Sequence, residues 1–267
     1  MNNVADIQTA SRPVVSVIVT TFNRVHYLAE TINSILAQTY KDFELIIVDN
    51  MSEDKTEEYV NNLADSRISY YRNPNYGVIA VNRNFGIEKA KGEYIALCDD
   101  DDLWLPEKLY CQIKLMDNHP KVRMCYSNAE SFSGDTTVKA RMVRRIVKRN
   151  FFYQLLRGNY IINSSVLIDA KVFKELGLLT VNLELREDYH MWLRITKNYE
   201  IKGIDESLVR YRVHIANVAG NRATETLKSI RTLKSVVQEL GVPWLLVTPN
   251  IGLQYLKYIF YCATRRW

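Results

Sequence analysis

The apolar run Tyr94-Ile95-Ala96-Leu97-Cys98 is followed at once by four aspartates, Asp99, Asp100, Asp101 and Asp102. The run reads as a buried strand. The aspartates then stand at a strand's carboxyl end, where open α/β sheets place their ligands. Like charges this close repel one another unless something positive sits among them. Hard carboxylate oxygens suit Mg²⁺ or Mn²⁺, and Mg²⁺ commonly uses one or two carboxylates plus phosphate oxygens. The pattern points to a site for a metal-bound diphosphate. A solvated acidic turn before the helix that opens near Pro106 is the plainer alternative.

The flanking sequence supplies the rest of a sheet. Pro13 introduces Val14 to Thr20, a second buried run, and Phe43 to Val48 is a third, ending in Asp49-Asn50. Ile68 to Tyr71 is a shorter one. Between them Leu28, Ile32, Ile35 and Leu36 recur at helical spacing, and a helix is expected from Ile79 to Ala90. Ser52 is a candidate N-cap for the helix after the Asp49 strand. Strands alternating with helices imply βαβ units and a mainly parallel sheet. The second half is less regular. Strands are expected at Arg123 to Tyr126, Ser164 to Ile168 and Val209 to Val213, with helices at Ala170 to Leu176, Asp188 to Lys197 and Thr224 to Leu240.

With 267 residues and 47% apolar content, the chain can bury a full core. Its net charge of +5 is too small to argue for nucleic acid, and an anionic substrate or an acidic membrane surface suits it equally. Cys98, Cys111, Cys125 and Cys262 form no CxxC pair, which favours a reducing cytoplasm, and Cys98 and Cys125 read as buried small hydrophobes. The N-terminus shows no basic region followed by an apolar run, so no signal peptide is expected.

No GxGxxG follows the first strand and no GxxxxGK[ST] occurs, which disfavours dinucleotide-binding and Walker sites. Instead the first strand ends in Thr20-Thr21-Phe22-Asn23-Arg24, the second in Asp49-Asn50 and the fourth in the aspartates. Three polar strand ends can converge on one crevice. Phe22 can stack on a base, and Asn50 can donate to or accept from its edge. Taken singly, each is also ordinary turn chemistry.

The segments VSVIVTTFNR, ELIIVDNMSEDKT, NYGVIAVNRNFGIEKAKGEYIALCDDDDLWLPEKL and REDYHMWLRI, in this order from about Val14 to Arg212, resemble the GT-A glycosyltransferases of family 2. The resemblance implies a GT-A α/β fold, with a mainly parallel sheet flanked by helices and a C-terminal helical extension. It implies inverting sugar transfer from a nucleotide-diphosphate sugar with Mn²⁺ or Mg²⁺ as cofactor. Carried over by position, Thr20, Phe22 and Asn23 fall at the nucleoside, with Phe22 standing for a common Tyr, and Arg83 at the nucleotide or its phosphates. Asp99 and Asp101 fill the DxD pattern: Asp101 binds the metal, Asp99 or Asp100 the ribose, and Asp102 fixes the loop or contacts the sugar. Asn50 departs from an Asp that often accepts the uracil N3–H. A uridine donor is expected all the same, since an Asn carbonyl can accept that bond. Asp188 takes the role of general base, with Glu187 supporting it; without the resemblance this pair would merely favour a helix N-terminus. His214 falls where several relatives close the metal site.

The basic stretch Lys139 to Arg149 and the aromatic, basic tail from Trp244 to Trp267 suit an anionic membrane surface or a lipid-pyrophosphate acceptor. A solvated loop and a packed helix are the alternatives. The tail is marginal for a membrane span, so an interfacial helix is expected. These readings give a glycosyltransferase domain over residues 13–222, divided at 128/129 into nucleotide-sugar and acceptor halves, and an extension over 223–267. The expected partners are a UDP-sugar donor and a glycan or lipid-linked acceptor, not nucleic acid. The expected place is the cytoplasmic face of a bacterial inner membrane, in surface-polysaccharide synthesis. A sugar-nucleotidyltransferase would show a Gly-rich basic loop after the first strand, which Thr20 to Arg24 is not; a non-catalytic nucleotide-sugar-binding module would have no need of a base.

Overall fold

The computed structural model describes residues 12–133, 150–182, 184–214 and 222–264. The basic stretch Lys139 to Arg149 and the terminal Arg265, Arg266 and Trp267 lie outside the described residues.

The first half alternates as its periodicity predicts: β1 (Val15–Thr21), α1 (Val25–Leu36), β2 (Phe43–Asp49), α2 (Thr56–Asn61), β3 (Ile68–Arg72), α3 (Ile79–Lys89) and β4 (Tyr94–Asp99). Then come the two-residue β5 (Leu103–Trp104), α4 (Lys108–Asn118) and the long β6 (Val122–Phe132). The remainder is α5 (Phe151–Leu155), a 3₁₀ turn (Asn163–Ser165), β7 (Val166–Asp169), α6 (Lys171–Leu176), α7 (Glu187–Asn198) and β8 (Glu200–Arg212), with α8 (Arg222–Leu240) and α9 (Trp244–Thr264) at the end.

All eight strands form one sheet in the order β3-β2-β1-β4-β7-β6-β8-β5. The β3, β2, β1 and β4 strands run parallel, while β7 is antiparallel to both β4 and β6. Every residue of β1 is buried, as a central strand covered on both faces requires. Period-two alternation sorts the sheet's side chains to opposite faces. Ile18, Ile46, Ile95 and Leu97 join one core cluster, while Val17, Val19, Leu45, Ile47, Ala96 and Cys98 join the other. Helix α1 closes the second face through Leu28, Ile32 and Ile35, all fully buried. Helix α3 presses against β1 so closely that a Cβ on Gly86 would stand 2.5 Å from Ile18 Cγ2.

Register fixes the future site. Thr20 pairs with Asp99 across β1 and β4, and Thr21 pairs with Asp49 across β1 and β2. The polar ends of three strands therefore lie side by side at one edge. β6 and β8 run parallel as a second long pair, and β8 delivers Arg212 and the following His214 back to that edge.

Ser52 does not cap α2. Its hydroxyl donates to Asp49 Oδ1 at 2.6 Å and accepts the Asn23 N–H at 2.8 Å, so it ties two strand ends together instead. The C-terminal helices pack through one face only. Ile230, Leu233, Val236 and Val237 of α8 share a core with Trp192 and Tyr126, and Val247 and Ile251 of α9 join them. Lys234 Nζ donates to the Tyr255 hydroxyl between the two helices. Pro249 lies inside α9, where it removes the backbone donor that would reach Leu245; the Thr248 hydroxyl donates to that carbonyl at 3.5 Å. The outer face of α9 is apolar and exposed, with Leu245 82% and Leu256 66% accessible. Among the described residues no helix is long and apolar enough to cross a membrane.

Candidate active site

The four aspartates turn in different directions because a sharp turn after β4 separates them, and each finds its own partners. Asp99 Oδ1 accepts from Arg83 Nη2 at 2.7 Å and from Asn163 Nδ2 at 2.8 Å. Asp100 Oδ2 accepts from the Thr21 hydroxyl at 2.8 Å, and its Oδ1 accepts from Arg24 Nη1 at 3.2 Å. Asp101 Oδ2 lies 3.1 Å from the same Arg24 nitrogen and 2.8 Å from His214 Nε2. Asp102 is fully buried: its Oδ2 accepts from the Ser164 hydroxyl and its Oδ1 from the Arg212 backbone N–H. Its backbone carbonyl accepts from Thr31, so this residue pins the loop to α1 and β8 at once. Burial pushes the Asp100 carboxyl up to about 6, against the pull of Thr21 and Arg24. Burial likewise raises Asp102 well above the carboxylate range, with the charge of Asp99 adding to it.

Arg83 is the hinge between two carboxylates distant in sequence. Almost fully buried on α3, it donates through Nη2 to Asp99 and through Nη1 to Glu187 Oε1, at 2.7 and 2.5 Å. Burial opposes its charge, but Asp99, Glu187 and Asp188 outweigh that and hold its pKa above the ordinary arginine value. Glu187 opens α7, and burial raises its pKa, aided by Asp188 and opposed by Arg83. Asp188 follows in the same first turn, where the helix dipole favours its anion. Its Oδ2 accepts from Asn159 Nδ2 at 3.1 Å, and its Oδ1 from the Tyr189 N–H at 2.6 Å.

Two cavities meet at this bridge. One, of about 410 Å³, is lined by Thr20, Arg24, Asp99, Asp100, Asp101 and His214 among others. Thr20 Oγ1 is buried there with no hydrogen-bond partner among the described residues. The other, of about 970 Å³, runs past Asn159, Glu187 and Asp188 to α8 and α9. Arg83, Asp99, Tyr211 and Val213 line both.

The remaining expected residues lie apart from these cavities. Phe22 is half exposed at the end of β1. Asn23 takes a left-handed backbone (φ 52°), and its Oδ1 accepts the Glu53 N–H, cross-linking the β1 and β2 ends. Asn50 Oδ1 accepts the Asn75 N–H at 2.8 Å, which occupies one lone pair of the carbonyl expected to meet a base. Sequence reasoning missed Arg24, Thr21, Asn159, Asn163 and Ser164. Arg24 had a signal, being the one cation after a polar strand end; Asn163 and Ser164 had none, because only the β4–β7 pairing brings them to the aspartates.

Two side chains at the smaller cavity could contribute ligands to a divalent ion. Asp101 supplies a hard carboxylate oxygen and His214 an imidazole nitrogen, both at the smaller cavity. Among the described residues there is no cluster of three or more His, Cys, Asp or Glu side chains that could hold a metal alone. A pair of protein ligands completed by diphosphate oxygens is the coordination such a site would need.

Comparison with known proteins identifies the family and the fold. The model of "Glycosyl transferase family 2" matches residues 16–177. A UDP-Glc:α-D-GlcNAc-diphosphoundecaprenol β-1,3-glucosyltransferase of Escherichia coli, WfaP, is 34% identical over 224 residues, covering 83% of this chain and 86% of its own. An uncharacterized glycosyltransferase of Rickettsia typhi is 31% identical over 233 residues, covering 85% and 72%. Among solved structures, TarS of S. aureus in complex with UDP-GlcNAc superposes with a TM-score of 0.68 at 18% identity, covering 84% of this chain and 66% of that one. The mannosyltransferase PcManGT of Pyrobaculum calidifontis, in complex with GDP-Man and Mn²⁺, gives 0.68 at 19%, covering 91% and 69%. The fold is therefore that of the GT-A glycosyltransferases. The chain belongs to glycosyltransferase family 2.

Proposed function

We propose that this protein transfers a sugar, with inversion, from a UDP-sugar to a hydroxyl of a lipid-diphosphate-linked glycan during bacterial surface-polysaccharide synthesis. The observation that carries the proposal is the Arg83 bridge, which sets a cavity rich in aspartates edge to edge with a cleft holding Asp188. The donor lies in the smaller cavity, its nucleoside toward Thr20 and its diphosphate toward Asp101 and Arg83. Asp101 and His214 would hold Mn²⁺ or Mg²⁺ there, and the ion, when bound, would supply charge neutralisation for the departing diphosphate. The acceptor enters the larger cleft. Its hydroxyl gives its proton to the Asp188 carboxylate as the oxygen attacks the anomeric carbon from the face opposite the diphosphate. Asn159 holds that carboxylate in place, and Glu187, fixed by Arg83, supports the acceptor's approach.

The donor nucleotide and acceptor class draw support from the relatives. WfaP and WfgD of Escherichia coli, 34% and 29% identical, both carry UDP-Glc and diphosphoundecaprenol in their names. Peripheral attachment to the cytoplasmic face of the membrane is part of the same proposal. The exposed apolar stripe of α9 would lie in the interface, where apolar burial and attraction to anionic lipid act together.

The test is direct. Purified protein, Mn²⁺ and a panel of UDP-sugars are incubated with a synthetic α-GlcNAc-diphosphate lipid. The expected product is a disaccharide-diphosphate lipid with its new linkage inverted relative to the donor. A retained configuration overturns the mechanism. Transfer only to acceptors lacking diphosphate overturns the acceptor class.

A further inference from the structure

The cations of the acceptor cleft differ in how they are satisfied. Arg186, at the mouth of α7, faces Asp188 at 4.0 Å and Glu225 at 3.7 Å. Arg157, just beyond α5, Lys228 on α8 and Lys257 on α9 line the same cleft and form no ion pair among the described residues. They come from separate elements, so helix-surface patterning does not account for their meeting. The cleft also holds Asp99, Glu187, Asp188 and Glu225, but these three cations pair with none of them, and unpaired cations facing one concavity attract anions to it.

Helical spacing adds a second fact. On α9, Gln254, Lys257 and Tyr261 are three and four residues apart and all face the cleft. Leu253, Leu256 and Phe260 repeat the same spacing one position earlier, about 100° around the helix, and are 52%, 66% and 62% exposed. A polar row carrying one cation, Lys257, and an apolar row thus run side by side along one helix, the first turned to the cleft and the second to the outside. A ligand that is doubly anionic at one point and a long hydrocarbon beyond it matches both rows. A nucleotide, a free sugar or an acidic peptide matches the first row only.

We propose that Arg157, Lys228 and Lys257 form an anion subsite for the diphosphate of a lipid-linked acceptor, whose hydrocarbon runs out along Leu253, Leu256 and Phe260. This rests on the acceptor class proposed above, and it assigns the side chains that would recognise it. The diphosphate would be held on the α8–α9 wall of the cleft, with the sugar reaching inward to Asp188 on the other wall.

Farnesyl diphosphate is the probe, titrated into the full chain with UDP saturating the donor cavity, and with farnesol and inorganic pyrophosphate as controls. The wild-type chain is expected to bind farnesyl diphosphate more tightly than either control. The double variant Lys228→Gln/Lys257→Gln should weaken it by about tenfold or more, since charge-assisted hydrogen bonds contribute at that level. Its affinity for farnesol should not move. Lys257→Arg, which keeps the charge, should bind as the wild type does, and an unchanged melting temperature of the double variant checks its fold. Equal affinity of the double variant and the wild type for farnesyl diphosphate overturns the subsite, as does failure of the wild type to bind it. Pyrophosphate binding as tightly as farnesyl diphosphate overturns the lipid path along α9. A wild type that binds farnesyl diphosphate through these lysines yet transfers no sugar to a diphosphate lipid would sink the proposed function and leave the subsite standing.

Discussion

The two cavities that meet at Arg83 handle charge in opposite ways. At the smaller cavity every aspartate of the Asp99–Asp102 run is already answered, by Arg83 and Asn163, by Thr21 and Arg24, by Arg24 and His214, or by Ser164 and the Arg212 backbone. In the larger cleft Arg157, Lys228 and Lys257 have no such answer among the described residues. The first arrangement is what a cluster of buried carboxylates requires merely to fold, because an uncompensated buried charge is strongly destabilising. The second costs little, because its cations stay near water. A site built from like charges in the sheet must therefore be self-neutralised before any ligand arrives, whereas a site built on helix surfaces can leave its charge available.

The largest expected effect comes from breaking the donor side at Asp101. Asp101→Ala should abolish sugar transfer and metal-dependent donor binding. Full transfer by this variant, measured with labelled UDP-sugar, would remove Asp101 from the metal site. Breaking the acceptor side comes next. Asp188→Asn keeps shape and the bond from Asn159 but cannot take a proton, so kcat should fall by about 10² or more while donor affinity persists. Near-normal turnover by a folded Asp188→Asn protein excludes it as the base.

Arg83→Met cuts the link between the two sides. It leaves Asp99 and Glu187 without their cation, and breaking a buried ion pair costs about 3–5 kcal/mol, read as a lowered urea midpoint. A midpoint within error of wild type would show that the bridge is not structural. The smallest effect sharpens the comparison, because it concerns a charge in the first half that lacks a carboxylate. Lys108 is fully buried, donates to Gln112 Oε1 and lies 3.9 Å from the centre of the Trp104 ring. Burial lowers its pKa to about 7. Above that value the folded state has shed a proton that the unfolded chain keeps up to its own, higher pKa, so stability should rise as pH goes from 7 toward 10, by roughly 2–4 kcal/mol. Lys108→Met should flatten that rise, as followed by denaturant unfolding at pH 6, 7, 8 and 9. An identical slope in both proteins would show that Lys108 keeps its proton throughout.

The contrast also explains what could be read from the sequence. β1, β2 and β4 were legible because strands buried on both faces show as continuous apolar runs, and the aspartates mark the end of one of them. β6 and β8 were foreseen only as short pieces, at Arg123 to Tyr126 and Val209 to Val213. They run for 11 and 13 residues, with polar positions such as Ser127, Asn128, Asp205 and Glu206 inside them. Asn128 is buried there because its amide donates to the Asp205 carbonyl, a long-range bond that no local pattern announces. The strand ends themselves were legible, though Thr21 and Arg24 there were given no role, and partners brought in by the antiparallel insertion of β7 were invisible. Ser164 is the clearest case: its hydroxyl accepts the Asp99 N–H and donates to Asp102, yet the sequence around it reads as an unremarkable strand start. The tail from Trp244 to Trp267 was read as interfacial or packed; Val247 and Ile251 pack into the core, while Leu253, Leu256 and Phe260 are exposed.

The shared guanidinium of Arg83 has a thermodynamic consequence. One cation serves Asp99 on the donor side and Glu187 on the acceptor side, so neither side can alter its hold on that charge without the other registering it. A donor phosphate that engaged Arg83, as proposed, would change the field at Glu187, and therefore the affinity of the neighbouring cleft for its own ligand. Linkage is reciprocal: whatever factor the donor imposes on the acceptor's affinity, the acceptor imposes on the donor's. Under the proposed function, binding in the two cavities would then be coupled through a single side chain, with no movement of the backbone required.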